Sequence, residues 1–318
     1  MNAPSYSLLV DIGGTNTRVA LATGTKVLTN TIQRFKNAEH ACLEDILGIF
    51  QNRAEPFTCT AIAVDLAGPV HEGVGRLTNL DWTIAAPSLT QVTGAQKVVI
   101  LNDMQAQGHS IGHVDPANVI SVIKGRDSDP EATKLVINVG TGFNAAPVYE
   151  TDSGRLVPAS ECGHVNMPIR TEAELRLMRF VETAHGFPAI EDVLSGRGLE
   201  RIYAWALEEN GGGSPLTAAQ IVNACEAGTD PIAQIAARQF VHLLGTVSGN
   251  LCLVHLPFGG VALVGGVVRA LRDHLGPMGF AEAFGDKGRF SDFMDNFSVT
   301  LIEDDYAALI GLAHCLAD

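Results

Sequence analysis

The chain has 318 residues, of which 46% are hydrophobic and 18% charged, and its 21 Lys and Arg against 35 Asp and Glu give a net charge of −14. That length accommodates two domains and that balance describes a well-buried globular chain, while the acidity and the lack of any Lys/Arg run exclude nucleic acid and anionic membrane as expected partners. Cys42, Cys59, Cys162, Cys225, Cys252 and Cys315 form no CxxC and no Cys/His cluster, so reduced thiols in a cytoplasm are expected rather than disulfides or a structural zinc.

Leu8, Leu9 and Val10 lead into Asp11, and Val19, Ala20 and Leu21 follow Arg18. This reads as strand, turn, strand, with Gly13, Gly14, Thr15 and Asn16 forming the turn. Two glycines let the backbone come close to a ligand, and successive amides in such a turn make an anion nest. Thr15 and Asn16 add donors, and Asp11 offers a carboxylate to a metal's water shell. An ordinary Gly-rich hairpin is the alternative; it accounts for the glycines but not for the Asp, Thr and Arg around them.

Further along, a helical pattern over residues 41–53 precedes the apolar run 61–66 and a strand over 98–101 that ends at Asn102-Asp103. Alternation of this kind predicts an α/β fold with helices packed on a mixed or parallel sheet. Ligands gather beyond the carboxyl ends of such strands, so Asp103 reads as a candidate general base for phosphoryl transfer; taken in isolation, an acidic residue before a helix reads more readily as an N-cap. From Lys134 a strand, the turn Gly140-Thr141-Gly142 and another strand repeat the layout of the opening segment, which predicts an internal duplication with one phosphate turn per lobe. Residues 172–255 are largely helical, with a loop at 211–213 and a long amphipathic segment starting at Pro231. The most membrane-like stretch, 251–268, contains His255, Pro257 and four glycines, so it reads as helix end, turn and strand. No basic leader opens the chain, and no signal peptide is expected. A strand over 261–264 meets Gly265-Gly266 and a helix from about 268. The last elements are a strand over 298–302 and a helix over 307–317.

Glu161-Cys162-Gly163-His164 and the downstream Glu191 supply carboxylates and an imidazole that suit sugar hydroxyls, each of which donates and accepts. Taken singly, each also reads as a surface or capping residue. His164 has no second His or Cys at metal-ligand spacing. Gly265-Gly266 either admits a nucleotide close to the backbone or merely makes a tight βα turn. GxxxxGK[ST], GxSxG and a GxGxxG after the first strand are all absent.

The segments DIGGTNTR, LNDMQAQG, GTGF, ECGHVNMP, IEDVLSGRGLERIY, GGVALVGGVV and FGDKGRF occur in the order seen in bacterial glucokinases, and the chain resembles that family over nearly its whole length. The clustered Cys motif of zinc-containing ROK sugar kinases is absent after Gly163-His164, which points away from that branch. The resemblance implies a two-lobed, actin-like (ribonuclease H-like) α/β fold with a central cleft, residues 1–112 plus 302–318 forming a small lobe and 113–301 a large one. It implies ATP-dependent phosphorylation of glucose at the 6-hydroxyl in a cytoplasmic homodimer. Asp103 would be the base, with Asn102, Asp103, Glu161, His164 and Glu191 binding glucose. Asp11, Gly13, Gly14, Thr15 and Asn16 would hold Mg2+ and the ATP phosphates, Asp11 acting through water, with Gly140, Thr141 and Gly142 on the other side and Gly265 and Gly266 near the adenosine. Two positions depart from the family pattern: Asn144 stands where GTGLG has its last glycine, and Cys162 where EGGH has its second. A kinase for fructose, mannose or an N-acetylhexosamine is the nearest alternative, and a sugar sensor without turnover the next.

Overall fold

A computed structural model describes residues 3–77, 80–126 and 129–317. The chain divides into two compact units, residues 1–115 with 151–159 and 304–318, and residues 116–150 with 160–303.

The first unit contains β1 (Ser5–Ile12), β2 (Asn16–Thr23), β3 (Lys26–Lys36), α1 (Leu43–Arg53), β4 (Thr58–Leu66), the short strands β5 (Val70–His71), β6 (Val74–Arg76) and β7 (Thr83–Ala85), α2 (Ala86–Thr93), β8 (Lys97–Asn102) and α3 (Asp103–Ser110). The main sheet runs β3-β2-β1-β4-β8. β2 is antiparallel to β1, whereas β4 and β8 are parallel to it. Leu8, Val10 and Ile12 face one side with Ile62, Val64 and the Leu43, Ile46, Leu47 and Phe50 of α1. Leu9 and Ala63 face the other, against Ala106 of α3 and the Ala308, Leu309 and Leu312 of the closing helix (Ala307–Ala317). Alternating positions therefore serve two helical layers, which is why the strands read as nearly continuous apolar runs. The closing helix approaches α3 so tightly that a Cβ at Gly311 would overlap the Ala106 carbonyl.

In the second unit are β9 (Val119–Ile123), β10 (Lys134–Val139) and β11 (Phe143–Thr151), the helices α4 (Glu172–His185), α5 (Gly196–Glu209), α6 (Ala218–Ala227) and α7 (Pro231–His255), and then β13 (Val261–Val264), α8 (Gly266–Ala270), α9 (Arg272–Leu275), α10 (Phe280–Gly285), α11 (Ser291–Met294) and β14 (Val299–Ile302); β12 (Gly154–Leu156) falls within the first unit's residues, and the closing helix is α12. Its strands run β11-β10-β13-β14-β9. β11 is antiparallel to β10, and β13 and β14 are parallel to it in succession. The pattern β2-β1-β4-β8 thus recurs as β11-β10-β13-β14, and the expected duplication is present in the topology. Phe240, Leu243, Leu244 and Val247 of α7 fill this unit's core with Leu135, Ile137 and Leu263.

Residues 151–159, which the sequence boundaries assign to the larger lobe, pack with the first unit instead. The Arg155 guanidinium donates to the carbonyls of Gly108, His109 and Ile111, and Gln105 Nε2 donates to Val157 O. The arginine gathers carbonyls at the end of α3, the Gly108 one shared with the Ile111 amide.

Candidate active site

The turn at residues 13–16 is a closed hairpin. Gly13 N donates to Asn16 O at 3.0 Å, and Arg18 sits opposite Asp11 in register and donates to its Oδ2 at 2.8 Å. Burial lowers the Arg18 pKa, but the charges and hydrogen bond of Asp11 and the charges of Asp305 and Tyr306 outweigh it and raise the value. Asn37 braces the turn from β3's end, with Nδ2 on Gly13 O, Oδ1 accepting from Thr17 Oγ1 and its amide on Thr15 O. Sequence reading missed Asn37, a polar residue within no motif, yet it is buried.

The carboxyl ends of β1, β4 and β8 lie side by side: Ile12 pairs with Leu66, and Leu66 with Asn102. Asn102 is the N-cap of α3, its Oδ1 accepting from Gln105 N at 2.8 Å while Gln105 Oε1 accepts from Asn102 N at 3.1 Å. This capping box makes Asn102, not Asp103, the N-cap of α3. Asp103 occupies the first helical turn instead, with Oδ1 accepting from Met104 N. The positive end of the helix favours a carboxylate there. Asn102, having spent its oxygen on the cap, has its amide Nδ2 left to offer to a hydroxyl.

Asp65 was also missed, hidden within the apolar run 61–66. It is directly opposite Asp11 across parallel β1 and β4, on the same face, and is 0% exposed. Neither carboxylate oxygen has a hydrogen-bond partner among the described residues. Burial, then the charges of Asp11 and Asp103, push its pKa well above the ordinary carboxylate value. A charged residue inside a buried strand was the available signal.

The second unit assembles its own set. Gly140-Thr141-Gly142 turns between β10 and β11, with Gly140 N donating to Gly142 O. Glu161 precedes a 3-10 turn, Cys162–His164, and His164 ends it; both are mostly exposed, with His164 Nε2 3.9 Å from Glu161 Oε2. Glu191 N donates to Gly163 O, and Glu191 Oε2 accepts from Phe143 N at 2.9 Å. Glu191 is thereby tied to both the ECGH segment and the second turn. A Cβ at Gly142 would stand 2.4 Å from Glu191 Oε2, so this approach requires glycine. Gly265, at φ +110, leaves no room for a Cβ beside the Val139 carbonyl. Its need for glycine is explained by the tight βα turn, whereas a Cβ at Gly266 would meet nothing within 4 Å.

The predicted residues therefore fall into two groups. Asp11, Gly13, Gly14, Thr15, Asn16, Asn102 and Asp103 belong to the first unit, and Gly140, Thr141, Gly142, Glu161, His164, Glu191, Gly265 and Gly266 to the second. The family model described as Glucokinase matches residues 8–318. The chain belongs to the glucokinase family. Curated glucokinases from Saccharophagus degradans and Cupriavidus metallidurans are each 32% identical to it, the first covering 96% of both chains and the second 99% of this chain and 95% of the relative. The crystal structure of a glucokinase from an Antarctic psychrotroph has a TM-score of 0.87 at 28% identity and covers 99% of both chains. The α/β architecture of this glucokinase-family chain is thus that of a solved member.

Proposed function

We infer that this chain transfers the γ-phosphoryl group of ATP to the 6-hydroxyl of glucose. Family membership supports the reaction and the enzyme class. The observation that carries the site assignment is the capping box: because Asn102 closes α3, Asp103 is outside the cap at the shared end of β1, β4 and β8. In the proposed mechanism Asp103 accepts the 6-hydroxyl proton as the oxygen attacks phosphorus. Glu161, His164, Glu191 and the Asn102 amide bind the other hydroxyls. The amides of the 13–16 turn receive ATP phosphates, aided by Gly140, Thr141 and Gly142, and the open side of Gly266 suits the nucleoside.

Magnesium belongs to this reading. Asp11 would hold the ion through water, with the buried carboxyl of Asp65, opposite it in register, behind it. Among the described residues no group of three or more His, Cys, Asp or Glu could hold a metal alone. Mg2+ is usually held by one or two carboxylates together with substrate phosphates. When bound it would neutralise charge on the transferring phosphoryl group. The reading also includes a homodimer, which the resemblance supports, and a cytoplasmic location, supported by six cysteines that form no disulfide among the described residues. No helix among the described residues is long and apolar enough to cross a membrane.

A coupled assay with ATP and glucose, fructose, mannose or N-acetylglucosamine tests the assignment. A strong preference for glucose is expected. Preference for another hexose would overturn the substrate, and binding of glucose without transfer would favour a sensor.

A further inference from the structure

The two positions that depart from the family pattern touch each other. Asn144 is the second residue of β11, and Cys162 opens the 3-10 turn between Glu161 and Gly163. Asn144 Nδ2 donates to Ser160 O, and the Cys162 thiol points at Asn144 Oδ1 from 3.5 Å. Cys162 N in turn donates to Ser160 Oγ at 3.3 Å. One side chain on the strand thus engages the segment 160–162 through both ends of its amide. Glycine at 144 would supply neither end, and glycine at 162 would leave Asn144 Oδ1 with only the Ala145 amide. Burial pushes the Cys162 pKa up, which keeps the thiol protonated and able to donate.

The neighbouring contacts give this pair its consequence. Phe143 N holds Glu191 Oε2, and Glu191 N holds Gly163 O. Phe143 and Asn144 therefore anchor both segments that carry the sugar-binding carboxylates, immediately after the turn Gly140-Thr141-Gly142. Glu161 and His164 are themselves mostly exposed, and their own ion pair is loose at 3.9 Å. Their placement depends on what fixes the backbone of residues 160–164.

We propose that Asn144 and Cys162 form a matched positioning contact that fixes segment 160–164 and so sets the affinity of the second unit for its sugar. The inference rests on the hexose-kinase reading above. Neither residue touches reacting atoms in that reading, so the contact acts on sugar binding and not on the transfer step. The two are coupled in one direction: Cys162 contributes only through Asn144 Oδ1, whereas Asn144 also holds Ser160 O by itself.

The test compares Asn144→Gly, Cys162→Gly, Cys162→Ser and the double glycine variant with the wild type. Glucose Kd is read by calorimetry without nucleotide, KM and kcat by the coupled assay, and folding by circular dichroism. With one to two hydrogen bonds at stake, Asn144→Gly is expected to raise glucose Kd and KM about tenfold with kcat within about twofold. Cys162→Gly should weaken glucose binding by a smaller factor, Cys162→Ser should stay close to wild type, and the double variant should be no worse than Asn144→Gly alone. If Asn144→Gly does not fold, the contrast between Cys162→Gly and Cys162→Ser decides by itself. Unchanged glucose affinity in folded glycine variants, effects that multiply in the double variant, or a loss confined to kcat would each overturn the proposal. A wild type that neither binds nor phosphorylates glucose would overturn the underlying reading, whereas normal wild-type turnover with indifferent variants would overturn this inference alone.

Discussion

Asp103 and Asp65 are carboxylates near one another whose surroundings differ. Asp103 is partly exposed in the first turn of α3, while Asp65 is sealed behind the ends of β1 and β4 with no hydrogen-bond partner for either oxygen among the described residues. A general base must be reachable, which the partly exposed Asp103 satisfies and the fully buried Asp65 does not. Replacing Asp103 with Asn is accordingly expected to lower kcat by about 10²-fold or more, with little change in glucose Kd. Near-normal turnover in the folded variant would remove Asp103 from the mechanism. Asp65 has a different expected signature. Asp65→Asn keeps the shape and removes the carboxyl beside Asp11, so the Mg2+ concentration for half-maximal activity should rise about tenfold or more, in the range found for residues supporting a metal's ligands. Mg2+ binding followed by calorimetry in the presence of a nonhydrolysable ATP analogue should weaken in parallel. An unaltered Mg2+ dependence would make Asp65 a packing residue only.

Among the elements, α7 shows how one side chain serves both a helix and its neighbour. Asp230 caps it, with Oδ1 accepting from Ile232 N at 2.8 Å and Oδ2 accepting from Tyr203 Oη on α5 at 2.7 Å. Burial raises the Asp230 pKa, but the Tyr203 hydroxyl and the amides of Ile232 and Ala233 together hold it below its ordinary 3.8. The Tyr203 pKa is pushed up to about 12, by burial first and then by Asp230, so the phenol remains a donor at neutral pH. Because the folded pKa of Asp230 is depressed, its stabilisation is complete above the unfolded value and is lost as pH falls through that value toward the folded one. Asp230→Ala should therefore cost about 1 kcal/mol of stability near pH 7, the usual loss for an N-cap. In urea titrations the gap between wild type and variant should shrink as the pH is lowered below about 4, the ordinary carboxylate range. A gap that stayed constant over that range would mean the cap works through packing alone. The same element-level logic places Asp103: the capping box sets where α3 begins, and Arg155 closes its other end.

For the whole molecule, the strand pattern of the first unit is repeated in the second, and each repeat places a Gly/Thr turn between its first two antiparallel strands. The proposed kinase chemistry divides its parts between the repeats, with the base in one and three of the sugar-binding side chains in the other. A substrate that engages the native chain stabilises it in proportion to its occupancy. Glucose at a hundred times its Kd should add about 2.7 kcal/mol, read as a rise in Tm, and fructose at the same concentration should add less. Equal shifts with both sugars would argue against glucose selectivity. No shift with either would contradict hexose binding.

Much of this organisation was legible in the linear chain because its signals are local. The hairpin around Gly13 and Gly14, the strands flanking Gly140-Thr141-Gly142 and the helix opened by Pro231 are each announced by residues within a few positions of one another. The ordered motifs likewise pointed to the glucokinase family. Contacts between distant positions were not legible. Asp65 looks like one polar interruption in an apolar strand until parallel register sets it against Asp11. Asn144 and Cys162 were two separate departures until the fold brought them together across 18 residues. Residues 151–159 joined the first unit through Arg155, whose partners lie more than 40 positions away. Even the assignment of the α3 cap to Asn102 rather than Asp103 depended on which oxygen reached the Gln105 amide. Backbone periodicity and turn chemistry are properties of neighbouring residues, so the sequence carries them openly. Strand register and side-chain pairing are chosen by burial and hydrogen bonding across the whole fold, and only the tertiary structure decides them.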